Sequence, residues 1–599
     1  MFAFMLGMVL TIFLAILLLV GLIGVVATAA GSQPVTYVSE NSVLHIEFNE
    51  EIRDRSSNNP LENFDFNTFQ AKEVLGLNDI KESLDKAKTD EKIRGIYLNV
   101  SSLKTGMANL EEIRNLLIDF KKSGKFIISY SEGYSQGAYY LSTVADKVYL
   151  NPVGEISFQG LTSQIMFFKD ALEKLDIEMQ VIRHGKFKSA VEPYLLNEMS
   201  PSNQKQMSTL LNSIWDEMLT SISLARNITP EELNRIADEI AIRVPSDAVK
   251  NKLIDDLKYE DEVLAELADL AGTDLDEDDL IKKPSFVSLK KYKNAPGKKN
   301  LSEDEDGDEV KTSSRDKIAI VYAAGEIRSG KSTIDVLGSE TTIEAIQKAT
   351  KDKNVKAIVL RVNSPGGSAL ASDVMWRAIE LAKAQKPVVV SMGNLAASGG
   401  YYISCGADKI FAQPNTITGS IGVFGVIPNL KGLFNNKLGI HVDGVSTNKH
   451  SDMIVNTWRP LDMEERSAIQ EMVESVYDDF ISKVAEGRGM SKADVDSIGQ
   501  GRIWSGLNAI EIGLVDELGG LEDAIKAAAD LAEISSYKLK EYPKQKEPIE
   551  IIMEDLAVQA KIAIIGDELN QTYSYFKVFE ESTKRQGIMT RLPFDLIIK

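Results

Sequence analysis

Short apolar runs alternate along the chain with longer amphipathic stretches. "AIVLRV" (357–362) and "PVVVSM" (387–392) are β-branched runs of the kind buried on both faces of a sheet, and "SDVMWRAIELAKAQ" (372–385) between them spaces its apolar positions as a helix does. This rhythm predicts an α/β fold with largely parallel strands. The pattern also occurs twice. Residues 93–152 align without a gap to residues 355–414 at an offset of 262, with identities that include Ser129/Ser391, Gly137/Gly399, Tyr139-Tyr140/Tyr401-Tyr402 and Ala145-Asp146-Lys147/Ala407-Asp408-Lys409. An opening pair, "HIEFNEEIRD" (45–54) and "IVYAAGEIRS" (320–329), places a strand at the start of each copy. One ancestral unit has been used twice.

Around the two units the pattern changes. Residues 1–30 contain no charge, and about twenty apolar residues suffice to cross a bilayer, so an uncleaved transmembrane anchor is expected there. Ala27-Thr28-Ala29 has the form of a signal-peptide cleavage site, but the run is too long and lacks a basic flank. The first basic residue is Arg53, which leaves orientation unassigned by charge. The organisation expected is an anchor (1–30), a first unit (40–270), a charged linker (271–316), a second unit (317–540) and a tail (541–599) of no evident role. A formal net charge of −21 opposes nucleic-acid binding. The single cysteine, Cys405, has apolar neighbours and reads as a small core residue.

Differences between the copies point to chemistry. Ser398, in "LAASGGYY", lies among small residues where a strand turns into a helix; the first copy has Gln136 there, which cannot attack a carbonyl. "NSPGGSA" (363–369) places Gly366 and Gly367 where the first copy has Lys104 and Thr105. Nucleophile and glycine pair are lost together, as expected if the glycine turn brings backbone N–H groups to an oxyanion. Taken separately, Ser398 also reads as a helix cap and the glycines as an ordinary turn. The four histidines, His45, His184, His441 and His450, give a serine–histidine–acid triad few ways to assemble. Lys188, in "RHGKFKSAVEPY" of the first copy, is a candidate base. Moving a lysine pKa from roughly 10.4 to 7 or 8 costs about 3–4 kcal/mol, which burial supplies. Pattern alone does not choose Lys188 over Lys186, and aligning this region of the copies, which requires a one-residue shift, places His450 or Ser451 opposite Lys188.

With its tandem units, "GKFKSAVEP", "NSPGGS", "LAASGGYYI" and "TGSIGV", the chain resembles the long form of the signal peptide peptidase A (protease IV) family over essentially its whole length. The resemblance implies two Clp protease/crotonase-like units and a Ser/Lys dyad in which Ser398 attacks and Lys188 is the base. It implies an oxyanion hole at Gly366 and Gly367, and Ser420 of "TGSIGV" orienting the lysine. It further implies no metal or organic cofactor, apolar peptide substrates, chiefly spent signal peptides, and assembly of several copies, such as four, into a ring. The expected location is the bacterial inner membrane, with the catalytic part in the periplasm. Two rivals stay open at this point: an acyl-coenzyme A enzyme of the same fold, which would not need Ser398, and an inactive membrane-anchored scaffold. "GEIRSGKS" (325–332) matches a phosphate-binding loop, but the helix such a loop requires does not follow it directly.

Overall fold

The computed structural model describes residues 36–57, 64–65, 70–71, 74–273, 283–296, 301–303, 309–311, 314–333, 335–454, 457–545 and 588–591. The charge-free run at 1–30 lies outside them. Among the described residues no helix is long and apolar enough to cross a membrane.

The first half contributes β1 (Ser42–Ile46), β2 (Ile93–Leu98), β3 (Phe126–Tyr134), β4 (Lys147–Ile156), β5 (Glu178–His184), β6 (Asp256–Leu257) and β7 (Ser285–Ser288). Six of these form a parallel sheet in the order β6-β4-β3-β2-β1-β7; β5 leaves it. The second half contributes β8 (Lys317–Ala324), β9 (Glu326–Arg328), β10 (Val336–Gly338), β11 (Val355–Ser364), β12 (Gly366–Ser368), β13 (Val388–Ala397), β14 (Lys409–Ala412), β15 (Ile417–Gly419), β16 (Val423–Asn429), β17 (Ile503–Ser505), β18 (Glu517–Leu518), β19 (Lys538–Tyr542) and β20 (Ile588–Arg591). Its main sheet runs β17-β15-β13-β11-β8-β19, with β14 beside β13 and β18 beside β14. The apolar runs read as buried strands lie here: Ala357 to Leu360 and Val388 to Val390 are at most 1% exposed.

Residues identical in both copies hold equivalent joints of the fold. Asp146 accepts the Ile127 N–H at 2.8 Å, and Asp408 accepts the Val388 N–H at 2.8 Å, each carboxylate fixing the start of a central strand. The buried Tyr139 and Tyr401 hydroxyls donate to the carbonyls of Leu253 and Leu514. A buried hydroxyl left without such an acceptor would destabilise the fold by about 1–3 kcal/mol.

Two expected boundaries shift. Ser285–Ser288, within the stretch read as a linker, pairs in parallel with β1, and the following helix Leu289–Lys293 buries Tyr292, whose hydroxyl donates to Asp90. The charge-rich flanks of this segment masked a short strand. At the other end, residue 540 falls inside β19, which pairs with β8 and completes the sheet. The phosphate-loop decoy resolves as expected, since β10 separates "GEIRSGKS" from the helix Ser339–Lys351.

Candidate active site

The halves meet in a third sheet, ordered β10-β9-β12-β20-β16-β5. β5, from the first half, runs antiparallel to β16 of the second, with His184 opposite Val423. The chain then turns at Gly185 (φ +100°), where a Cβ would lie 2.4 Å from the Gln500 carbonyl oxygen. Phe187 N–H donates to that carbonyl at 2.9 Å. Gly501 (φ +80°) lies against the residue after Phe187, so that a Cβ would come within 2.6 Å of Lys188 Cβ. Glycine is needed at both points because the backbones touch.

This packing carries Lys188 of the first half into the second. Lys188 is fully buried, with Nζ 2.8 Å from Ser398 Oγ, 3.0 Å from Ser420 Oγ and 3.1 Å from the Ser420 carbonyl oxygen. Burial pushes its pKa well below the usual 10.5. A neutral primary amine has two N–H donors and one lone pair. The Ser420 carbonyl and hydroxyl oxygens can take the two donors, which leaves the lone pair to accept the Ser398 hydroxyl proton. Lys186, by contrast, is exposed. None of the histidines takes that place: His45 and His184 stack on Tyr97 and Tyr477, His450 pairs with Glu464 and Glu465, and His441 is exposed.

Ser398 sits at φ +55° and ψ −113°, a strained conformation for a residue with a side chain, and its N–H donates to Gly419 O at 2.7 Å. It occupies the N-cap position of the helix Gly399–Tyr402 without capping it. Ser135, at the equivalent joint of the first half, does cap, accepting the Ala138 N–H. That helix is one turn long, so the dipole assistance expected from the sequence is correspondingly small. Gly366 (φ +91°) and Gly367 (φ +159°) form β12 close by. Gly400, two residues after Ser398, has no room for a Cβ, which would meet Ser364 O at 2.6 Å. Gly366 N–H donates to Ser364 Oγ at 3.2 Å, and a Cβ on Gly367 would lie 2.0 Å from Ile327 O.

The Peptidase family S49 profile matches residues 119–274 and 380–535, once in each half, and a Clp protease profile matches residues 313–418. Protease 4 of Haemophilus influenzae is 37% identical over 461 residues, which are 76% of this chain and 72% of that protein. Protease 4 of Salmonella typhi is 36% identical over 80% of this chain and 75% of its own length. The chloroplastic serine protease SPPA of Arabidopsis thaliana is 35% identical over 77% and 66% respectively. The chain belongs to peptidase family S49.

It is therefore a serine peptidase of the tandem-repeat signal peptide peptidase A form, and the acyl-coenzyme A and inactive-scaffold readings fall. The first half of this S49 chain has filled its equivalent site with packing. Gln136 donates to Gly160 O and accepts the Gln159 and Gly160 N–H groups, while Thr105 donates to Ile52 O. Sequence reasoning missed Gln206, a buried residue of the helix Pro201–Arg226. Its Nε2 donates to Phe187 O (3.1 Å) and Ser189 Oγ (2.9 Å), and its Oε1 accepts the Ile503 N–H. A polar residue on an amphipathic helix gives no sign of such a clamp around Lys188. Gly501 did leave a signal, since the glycines bracketing Gln500 mark a tight turn.

β20, from the stretch read as a tail, lies between β12 and β16 and antiparallel to both, with Thr590 opposite Gly367 and Met589 opposite Phe424. Met589 also lines a cleft of about 730 Å³ whose apolar wall includes Leu370, Tyr402, Met472 and Val476.

Proposed function

We propose that Ser398 is the nucleophile and Lys188 the general base of a Ser/Lys dyad that hydrolyses extended apolar peptides. The observation that carries this is the 2.8 Å contact between a fully buried amine and the hydroxyl of a strained serine. Ser398 attacks the scissile carbonyl as its proton passes to Nζ. Backbone N–H groups of Gly366 and Gly367 receive the oxyanion, Gly366 exchanging Ser364 Oγ for it. Lys188 returns the proton to the leaving amine, then deprotonates the water that releases the acyl group, and Ser420 holds its amine in line throughout. No step draws on a metal or organic cofactor. Ser398→Ala is expected to lose turnover of a synthetic signal peptide in detergent, whereas chelators leave the unaltered enzyme active; turnover by the Ala variant would contradict the assignment.

The substrate lies as a strand between β12 and β16, where β20 now lies. A chain ending before Ile588 is therefore expected to show a lower KM for a short apolar peptide, with kcat little changed. An unchanged KM would place substrate elsewhere.

The natural substrates are signal peptides left in the membrane after export, and the run at 1–30 anchors the catalytic part at the periplasmic face of the bacterial inner membrane. Copies assemble into a ring, such as a tetramer. In support, the helix Ala369–Lys383 leaves Leu370, Val374 and Leu381 exposed, and its counterpart Met107–Lys121 packs on the second half of the same chain. Repeating that contact between chains would cover these residues and close a heterologous ring.

A further inference from the structure

A buried charge cluster, like the Lys188–Ser398 contact, draws on both halves. Arg361 on β11 is 1% exposed. Its Nε and Nη2 lie 2.8 and 2.7 Å from Asp54 Oδ1, and its Nη1 donates to Glu112 at 2.6 Å; Nη2 also donates to Asn109 at 3.2 Å. Asp54, Glu112 and Asn109 belong to the first half. Within the second half, Nη1 donates to Ser391 Oγ of β13 at 2.8 Å. Asn363, also on β11, donates its amide N–H to the other oxygen of Asp54 and accepts the Leu395 N–H of β13 at 3.1 Å. β11 leads into the Gly366–Gly367 turn, and β13 leads into Ser398.

The cluster has no twin. At the offset of 262, Arg361 corresponds to Asn99, Asn363 to Ser101, Glu112 to Val374 and Asn109 to Ala371, while the opening-strand alignment pairs Asp54 with Ser329. The cation belongs only to the half that keeps the nucleophile, and the carboxylates only to the half that keeps the lysine. A guanidinium this deeply buried needs its counter-charges. Here they arrive only when the first half docks.

We propose that Arg361, Asn363 and Asp54 are positioning residues for the dyad: the first half, besides delivering Lys188, uses Asp54 to fix the spacing between the oxyanion strand and the nucleophile strand. This rests on the reading of Ser398 as nucleophile. Asp54→Asn keeps the size of the side chain but sets its amide against that of Asn363 or against the guanidinium, so one arm of the grip must open. Misplacement of reacting groups by about 1 Å costs on the order of 100-fold. For a quenched-fluorescent apolar peptide, kcat is expected to fall about 10- to 100-fold with KM within about threefold. Arg361→Lys, which retains the charge but cannot span both carboxylates, is expected to fall likewise. The exchange pair Asp54→Asn with Asn363→Asp restores a donor facing an acceptor across the halves, and should return kcat to within about threefold of the unaltered enzyme. An unchanged kcat in Asp54→Asn, or an exchange pair no faster than the single variant, would overturn the proposal. Fluorophosphonate labelling of the unaltered protein keeps the two readings apart: absence of label on Ser398 would refute the dyad itself, whereas a labelled Ser398 with either overturning result would refute only the positioning role.

Discussion

Lys188→Met is expected to lower peptide hydrolysis by at least about 10³-fold, the upper range for loss of a positioned general base, while leaving the protein folded and more stable at neutral pH. Methionine matches the aliphatic stem that packs against Gly501 and Gly422, but offers no basic nitrogen to Ser398. The stability gain follows from the burial that lowers the lysine pKa. Between the lowered folded value and the ordinary value near 10.5, the unfolded chain binds a proton that the folded chain does not. Stability of the unaltered protein therefore rises with pH across that window. The advantage of Met should be largest below the lowered value and shrink as pH rises toward 10.5, as thermal melts across pH would record. Lys188→Arg should be inactive too, because a guanidinium stays protonated. It should also be less stable than Met, since it buries a charge.

Gly367→Ala is expected to lower kcat by about 10²- to 10³-fold, the range for losing one oxyanion donor. The added methyl would lie 2.0 Å from Ile327 O, a backbone atom that cannot rotate away, so β12 must separate from β9. Lys188 and Ser398 stay in contact in such a variant, so the loss should appear in kcat with the pH dependence unchanged. Activity within about threefold of the unaltered enzyme would remove the glycine turn from the oxyanion site.

Much of this centre was legible because the chain carries its own comparison. Residues identical in the two copies, such as Asp146/Asp408 and Tyr139/Tyr401, serve the fold, and the residues that differ, such as Gln136/Ser398 and Thr105/Gly367, fall at the proposed site. Strand runs were legible because a strand buried on both faces is apolar at most positions. The choice of Lys188 over Lys186 was not legible from pattern and came only with the family resemblance. Both stand in one short loop, and only the backbone contacts of Gly185 and Gly501 with the other half decide which of them is buried. β7 and β20 escaped notice because charged or unpatterned sequence surrounds them. Arg361 escaped for a different reason: it stands inside a run read as a buried strand, and its partners Asp54 and Glu112 come to it from far along the chain.

The central claim is that a neutral lysine from one half activates the serine of the other, and the rate at which a fluorophosphonate labels Ser398 as pH is raised measures it most directly. The unaltered enzyme should label faster as pH rises through the lowered Lys188 pKa and then level off, whereas Lys188→Met should label at least about 10²-fold more slowly with no such inflection. Labelling of Lys188→Met at the unaltered rate, or an inflection that survives the substitution, would contradict the account.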